Sequence, residues 1–126
     1  SLQVYPSEIN LEESLVYDLW LESIDYLDIT HRLERLFKCK LDSSKMFVSM
    51  HHKLGDETSY ADGLGGEYSK FTDQTIEMLK QSYPHVNFAG FEKNSTRREL
   101  LERETVQSLA NYLFTKLNSG GENGRD

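Results

Sequence analysis

The sequence predicts an all-α protein. Apolar residues recur at helical spacing in residues 23–38, 71–83 and 97–117. A serine or threonine able to cap a helix stands at the start of each segment, and Pro84 and the Gly120-Gly121 pair stop the last two. The chain has 126 residues, 37% of them apolar, which is enough for one domain with a core. We therefore expect a single domain: a helical bundle with additional inserted helices and a long loop.

Two segments precede the first helix. Residues 1–8 contain Pro6 and no apolar periodicity, so we expect an extended lead-in. Residues 9–21 are expected to form a loop with a short helical turn. Trp20, the single tryptophan, is expected to pack against the protein rather than to stack on a ligand. The expected inward anchors of the loop are Ile9, Leu11, Leu15, Val16, Leu19 and Leu21.

The helix predicted over residues 23–38 has two faces at about 100° per residue. The core-facing stripe consists of Tyr26, Ile29, Leu33, Leu36 and Phe37. The opposite side carries Ile24, Leu27, Asp28, His31 and Arg35. A helix that only packs rarely places Ile24 and Leu27 on its outer side, so beside a serine they indicate a docking surface. The alternative for Ser23 is structural, because serine is a favoured N-cap.

The rest of the chain is predicted as three further helices and a loop. Ser43 or Ser44 caps a short helix that continues through Met46, Phe47 and Met50. The glycines and acids of residues 51–67 indicate a long flexible loop. Thr72 caps a helix that ends at Tyr83. Ser95 or Thr96 caps a closing helix over 97–118, and residues 119–126 are expected to be a disordered tail.

Composition and missing motifs weigh against several classes of function. The net charge of −7 argues against nucleic acid as a partner. No apolar run reaches the roughly 20 residues that stable membrane insertion needs. A single cysteine, Cys39, fits a reducing, cytoplasmic compartment. The cluster of His51, His52, Asp56 and Glu57 matches no standard zinc spacing, so no metal is expected.

The stretch before and into the first helix resembles a known family. It contains Leu15-Val16-Tyr17-Asp18-Leu19-Trp20-Leu21-Glu22-Ser23-Ile24-Asp25, then Leu27-Asp28-Ile29, Leu33-Glu34 and Phe37. Thr105-Val106-Gln107-Ser108-Leu109-Ala110-Asn111-Tyr112-Leu113 adds a weaker match. These segments resemble the acyl carrier proteins and the related peptidyl carrier domains, without a gap over roughly residues 10–41. Glu22 stands where the family usually has Asp, and Ile24 where it usually has Leu.

The resemblance implies a cofactor and partners. Ser23 would carry a 4′-phosphopantetheine arm as a phosphodiester, and the thiol at its tip would bear an acyl or aminoacyl group. Partners would be a phosphopantetheinyl transferase and the loading and downstream enzymes of fatty-acid, lipid or secondary-metabolite synthesis. The expected recognition residues are Glu22, Ile24, Asp25, Leu27, Asp28 and His31. A carrier is not an enzyme, and no Gly-x-Ser-x-Gly motif or arranged His points to a catalytic residue.

The chain also departs from the family pattern. Carriers place a long first helix before the signature loop, and too few residues precede Asn10 to form one. Either the chain is truncated, or another segment or a second copy supplies that helix. The insertion over 42–96 could be decoration, could enlarge an acyl-binding interior, or could supply the missing helix through 72–83. We expect 71–83 or the closing helix to cover the core-facing stripe, within the chain or across a homodimer.

A second hypothesis belongs to another class. The chain could be a small helical adaptor whose acidic helix binds a basic protein partner without a prosthetic group. Residues 1–30 contain seven acids and no Lys or Arg, which favours a basic partner under both hypotheses.

Overall fold

The computed structural model of the protein describes residues 10–123, with side chains as far as Asn118. Within that range the secondary structure is helical apart from turns and three isolated β-bridges, so the all-α prediction is confirmed. Three 3₁₀ turns, Val48–Met50, His52–Gly55 and Glu57–Ser59, follow the second helix. The helices are α1 Ser23–Phe37, α2 Ser43–Met46, α3 Asp73–Ser82, α4 Arg97–Glu102 and α5 Val106–Asn123.

Helix α1 begins one residue after the position that caps it. Glu22 is the N-cap, with extended backbone, and its N–H donates to Asp25 Oδ2 at 2.9 Å. Ser23 is therefore the first helical residue, and the alternative that Ser23 caps the helix is wrong. At the other end Lys38 takes the left-handed conformation, which stops the helix at Phe37 rather than at the predicted Lys38.

The buried face of α1 is shorter than its apolar pattern predicts. Tyr26 and Thr30 are buried, and the Thr30 hydroxyl donates to the Tyr26 carbonyl at 2.8 Å. Leu36 and Phe37, predicted as core, are 70% and 39% exposed. Periodicity fixes the direction in which a side chain points, but it cannot show where the packing partner ends.

Helix α5 and the segment around α2 cover α1. They enclose a smaller hydrophobic cluster with a few fully buried members, Leu15, Leu21, Tyr26, Met46 and Phe47. Its partly buried members are Val16, Leu19, Ile29, Leu33, Leu41, Met50, Val106, Leu109, Tyr112 and Leu113. The cover therefore comes from the second half of the predicted closing helix. Of the two predicted covers, 71–83 or the closing helix, the structure uses the closing helix.

A larger cluster occupies the middle of the chain. It contains Val48, Leu54, Tyr60, Phe71, Ile76, Leu79, Tyr83, Val86, Phe91, Leu100 and Leu101, with Tyr17, Met78 and Phe88 partly buried against it. Helix α3 packs here, capped by Thr72 as predicted. The larger cluster therefore draws mainly on residues 48–91, with Leu100 and Leu101 of α4, and no residue of α1 belongs to it.

The stretch 51–67 is more regular than the predicted flexible loop. It contains two 3₁₀ turns, and the Tyr60 hydroxyl donates to the Leu54 carbonyl at 2.7 Å. The Tyr60 ring stacks on Phe71 at 4.9 Å, and the two residues form an antiparallel bridge. The glycine content predicted a flexible loop. The order instead depends on Phe71, which lies outside this stretch and packs on Tyr60.

The predicted closing helix over 97–118 is two helices. Thr96 caps α4 as predicted, but α4 ends at Glu102 and α5 begins at Val106. The break is where the N-terminal loop docks: Ser14 pairs with Thr105, and Leu15 N–H donates to the Glu104 carbonyl at 2.9 Å.

The two ends of the chain are described only in part. Helix α5 continues to Asn123, which corrects the start predicted for the tail. The predictions for 1–8, Ile9 and 124–126 fall outside the described residues. No helix in the described range combines the length and apolarity that crossing a bilayer requires.

Candidate functional site

Ser23 lies exposed at the start of α1. Because Glu22 takes the cap position and Asp25 closes the capping box, the hydroxyl is not used to begin the helix. The Ser23 hydroxyl has no hydrogen-bond partner anywhere in residues 10–123. A free hydroxyl at the positive end of a helix dipole suits a group that carries negative charge.

Trp20 stands beside the serine and projects into solvent. Its side chain is 79% exposed and its φ is 59°, so the expectation that it packs against the protein is wrong. The loop on both sides of it is fixed, since Leu15 and Leu21 are buried and Leu21 N–H donates to the Leu15 carbonyl at 2.9 Å. A bulky residue rarely adopts positive φ, and such strain is found at functional positions.

The other loop anchors divide in the same way. Val16 and Leu19 are half-buried, whereas Leu11, predicted to point inward, is exposed. The loop is therefore held in place by Leu15 and by Leu21 at its junction with α1, whereas Trp20 remains exposed.

The predicted recognition residues of α1 share an outer surface. Ile24 is 73% exposed, Leu27 is also exposed, and the His31 side chain is 75% exposed. We call Trp20, Ser23, Ile24, Leu27 and His31 the Ser23 face. At helical spacing these last four residues follow one side of α1 over about two turns.

The acids of the recognition set have other partners. Asp25 accepts the Glu22 N–H, and Asp28 Oδ2 accepts from Arg32 Nε at 2.9 Å. Glu22 serves as the cap. The acids of the recognition set therefore stabilise α1, and the Ser23 face itself contains no acid.

A buried carboxylate fixes the opposite side of the same turn. The Tyr26 hydroxyl donates to Glu104 Oε1 at 3.1 Å, and Ser49 N–H donates to Glu104 Oε2 at 3.0 Å. Tyr26 also packs on Phe47, with ring centroids 4.6 Å apart. Burial raises the pKa of Glu104 and that of the Tyr26 hydroxyl.

Sequence reasoning missed Glu104, because a glutamate between two helices normally faces water. Its bonds join three segments that are far apart in the chain: α1, the turn at Ser49 and the connection before α5. They set the position of the first turn of α1, and with it Ser23.

The apolar pattern across residues 100–109 favoured a continuous helix, but a local signal for the break is present. Thr105 N–H donates to Ser108 Oγ at 2.9 Å and Ser108 N–H donates to Thr105 Oγ1 at 3.1 Å, so Thr105 caps α5.

The surroundings of Ser23 do not include a base. His31 lies two helical turns further along α1, and no side chain in the described range donates to or accepts from the Ser23 hydroxyl. Three His, Cys, Asp or Glu side chains close enough to hold a metal ion do not occur within residues 10–123. The Ser23 hydroxyl is therefore accessible from solvent and has no general base beside it among the described residues.

Ser23 also lies outside two cavities. One, of about 390 Å³, is lined by residues of α1 from His31 onward and by residues 38–40, which follow the helix. Cys39, in that second group, is half-buried. The other, of about 670 Å³, lies between the 3₁₀ turns, the end of α3 and α5. Neither would enclose a group attached at the start of α1.

The comparisons with known proteins give no match for this chain. Set against models of protein families, curated proteins and solved structures, it matches none of them. The assignment of this site therefore depends on the residues and geometry described above.

Proposed function

We propose that the protein is a carrier that bears a 4′-phosphopantetheine arm on Ser23. The thiol at the tip of the arm would hold an acyl or aminoacyl group as a thioester. The protein itself catalyses nothing in this proposal: a phosphopantetheinyl transferase attaches the arm, and loading and downstream enzymes act on the cargo.

One observation carries the proposal: the Ser23 hydroxyl is exposed and unbonded at the first position of α1. A serine present for structural reasons would be expected to cap the helix, and here Glu22 does so. A transferase must bring the hydroxyl to the pyrophosphate of coenzyme A, and an exposed hydroxyl at a helix start allows that approach.

The Ser23 face supports the same function. Its apolar side chains, led by Trp20 and Ile24, surround the attachment point and lack a partner among the described residues. Exposed apolar groups around a reactive position are typical of surfaces that enzymes contact. The net charge of −7 would speed encounter with basic enzyme surfaces.

Intact mass spectrometry after incubation with a broad-specificity phosphopantetheinyl transferase and coenzyme A tests the proposal. The wild type should gain the mass of one arm, and Ser23→Ala should gain none. Ser43→Ala is the matched control, because Ser43 is also the first residue of a helix behind an acidic cap, Asp42. Loading that is lost in Ser43→Ala but retained in Ser23→Ala contradicts the assignment.

The exposure of Trp20 also favours a second candidate, an adaptor that binds a basic protein through the Ser23 face without an arm. The same face could join two copies of the chain. An adaptor would gain no mass with the transferase and would still lose its partner when Trp20 is replaced by alanine. A carrier gains mass, and that gain distinguishes the two.

Docking can be separated from folding with a second pair of variants. Ile24→Ala should slow loading by the transferase, since Ile24 adjoins Ser23. Leu36→Ala is the control: Leu36 is as exposed as Ile24 and lies at the far end of α1. Equal loading rates in both variants would show that the Ser23 face does not contact the transferase.

A further inference from the structure

The cavity of about 670 Å³ is built from three segments that are distant in the chain. Ser44 and Lys45 with His51 and His52 form one wall, residues 82–85 form the second, and α5 contributes Tyr112, Thr115 and Lys116. Its volume falls in the range of small-molecule sites, roughly 300–1,000 Å³. Ser23 does not line this cavity, so a ligand bound here is independent of the proposed arm on Ser23.

Five of the residues that line it carry aromatic rings. His52 stacks on His51 with centroids 4.6 Å apart, and His51 meets Tyr83 edge-on at 5.7 Å. Tyr83 meets His85 at 5.8 Å, and His85 meets Tyr112 at 5.0 Å. We call these five residues the ring arc. A continuous arc of rings offers faces and edges against which a flat ligand can stack.

The ring arc is held rigid by bonds to the backbone. The Tyr83 hydroxyl donates to the Ser44 carbonyl at 2.6 Å. His85 Nε2 lies 2.9 Å from the Met46 carbonyl, which can only accept, so Nε2 carries the proton. His51 Nδ1 accepts the Lys53 N–H at 3.1 Å. Burial lowers the pKa of both histidines, which favours their neutral forms.

These bonds define which hydrogen-bonding atoms of the ring arc remain available to a ligand. Neutral His85 keeps Nδ1 as an acceptor, and neutral His51 keeps a proton on Nε2 to donate. The Tyr112 hydroxyl has no hydrogen-bond partner within the described range. One acceptor, one donor and one hydroxyl are therefore unused around a cavity whose walls are mostly carbon.

Charge distinguishes this cavity from the rest of the chain. The protein carries a net charge of −7, yet among residues 10–118 the lining includes Lys45 and Lys116 and no carboxylate. Neither lysine forms an ion pair with a described residue. Asp42 interacts electrostatically with Lys45 and with Tyr112, but it does not line the cavity.

We propose that this cavity is a binding site for a small aromatic anion, whose ring lies against the ring arc and whose carboxylate or phosphate meets Lys45 and Lys116. A flat ring matches the stacked and edge-on side chains, and a negative group matches two lysines without carboxylate partners. The occupant is a free small molecule rather than a protein segment, because the walls curve around a volume of ligand size.

Titration of the full chain with 2-naphthoate or adenosine 5′-monophosphate tests the site, with calorimetry for affinity and amide shifts in ¹H–¹⁵N spectra for location. At least one probe should bind and shift amides of 51–52, 83–85 and 112–116. Lys45→Gln with Lys116→Gln should weaken it about 5- to 10-fold, a change of roughly one charge-assisted contact. Lys38 and Lys40 line the smaller cavity instead, so the double variant Lys38→Gln with Lys40→Gln should leave the affinity for the probe unchanged.

Two further probes separate the ring from the charge. Cyclohexanecarboxylate keeps the charge without the ring, and 2-naphthalenemethanol keeps the ring without the charge, so both should bind more weakly than 2-naphthoate. The proposal is overturned if neither aromatic anion binds at about 5 mM, where even millimolar affinity is detected. It is also overturned if the shifts fall on the Ser23 face, or if the cavity lysines prove no more important than the control pair.

Discussion

The two hydrophobic clusters differ in how completely they bury their residues. The larger, central cluster has eleven buried members and three partly buried ones. The smaller cluster around α1 and α5 has five buried members and ten partly buried ones. Five of the exposed large apolar side chains, Trp20, Ile24, Leu27, Leu36 and Phe37, lie on α1 or just before it.

This difference indicates that the two clusters have different structural roles. The central segment, which had no clear family resemblance, supplies the dense core and with it most of the stability. The region around α1 packs less completely and leaves part of its apolar surface exposed, Trp20, Ile24 and Leu36 above all. Exposed apolar groups on a fixed helix are typical of contact surfaces, and the contacts that we propose for the Ser23 face lie on this smaller cluster.

Removal of residues 51–90 should have the largest effect. The deletion takes out most of the central cluster, including Phe71, Leu79 and Tyr83. Stability is a small difference between large terms, so we expect loss of cooperative unfolding in thermal and denaturant melts. A shortened chain that melts as sharply and as high as the parent would show that this segment is decoration.

Single truncations sharpen the comparison. Leu79 in the central cluster is fully buried, so Leu79→Ala should lower the free energy of unfolding by about 2–5 kcal/mol. Leu33 in the smaller cluster is only partly buried, so Leu33→Ala should cost less. Urea denaturation measures both, and a larger loss in Leu33→Ala would reverse our assignment of the denser core.

Replacement of Glu104 should change the pH dependence of stability. Burial raises the folded pKa of Glu104 above its ordinary value of 4.5, so the folded chain holds the proton to higher pH than the unfolded chain. The stabilising contribution is complete below that value and is lost as pH rises through the folded pKa. Relative to Glu104→Gln, the wild type should therefore lose stability as pH rises above about 4.5, the ordinary pKa of a glutamate. Parallel stability curves for the two proteins would contradict a raised pKa.

Changes on the Ser23 face should affect stability least. Ser23 neither caps α1 nor packs, so Ser23→Ala should change the free energy of unfolding by less than about 0.5 kcal/mol. Ile24→Ala should also stay small, because the side chain is exposed. Chemical denaturation compares them with Leu79→Ala, and a loss of similar size at Ile24 would mean that the face is part of the core.

Much of the fold follows from local sequence signals. The limits of α1, the Thr72 cap of α3 and the Thr96 cap of α4 depend on neighbouring residues only, and the sequence predicts them to within about two residues.

The break between α4 and α5 also has a local signal, the cap formed by Thr105 and Ser108. The pairing of Thr105 with Ser14 was not predictable, since Ser14 is distant in the chain. Order in 51–67 likewise depends on Phe71 stacking on Tyr60.

The candidate site shows the same limit. Its exposed serine and outer apolar residues follow from the periodicity of α1. The positive φ of Trp20 and the buried bonds of Glu104 do not, because both result from tertiary packing. The ring arc brings together three segments whose histidines and tyrosines have no shared spacing, so no sequence pattern could have assembled it.

Localisation of the arm tests the central claim most directly. Residues 1–31 contain no Lys or Arg, so trypsin releases one peptide that ends at Arg32 and contains Ser1, Ser7, Ser14 and Ser23. After treatment with the transferase and coenzyme A, tandem mass spectrometry of this peptide should place the phosphopantetheine mass on Ser23, between the fragments that end at Glu22 and Ile24. An unmodified peptide, or an arm on any other residue, would contradict the account.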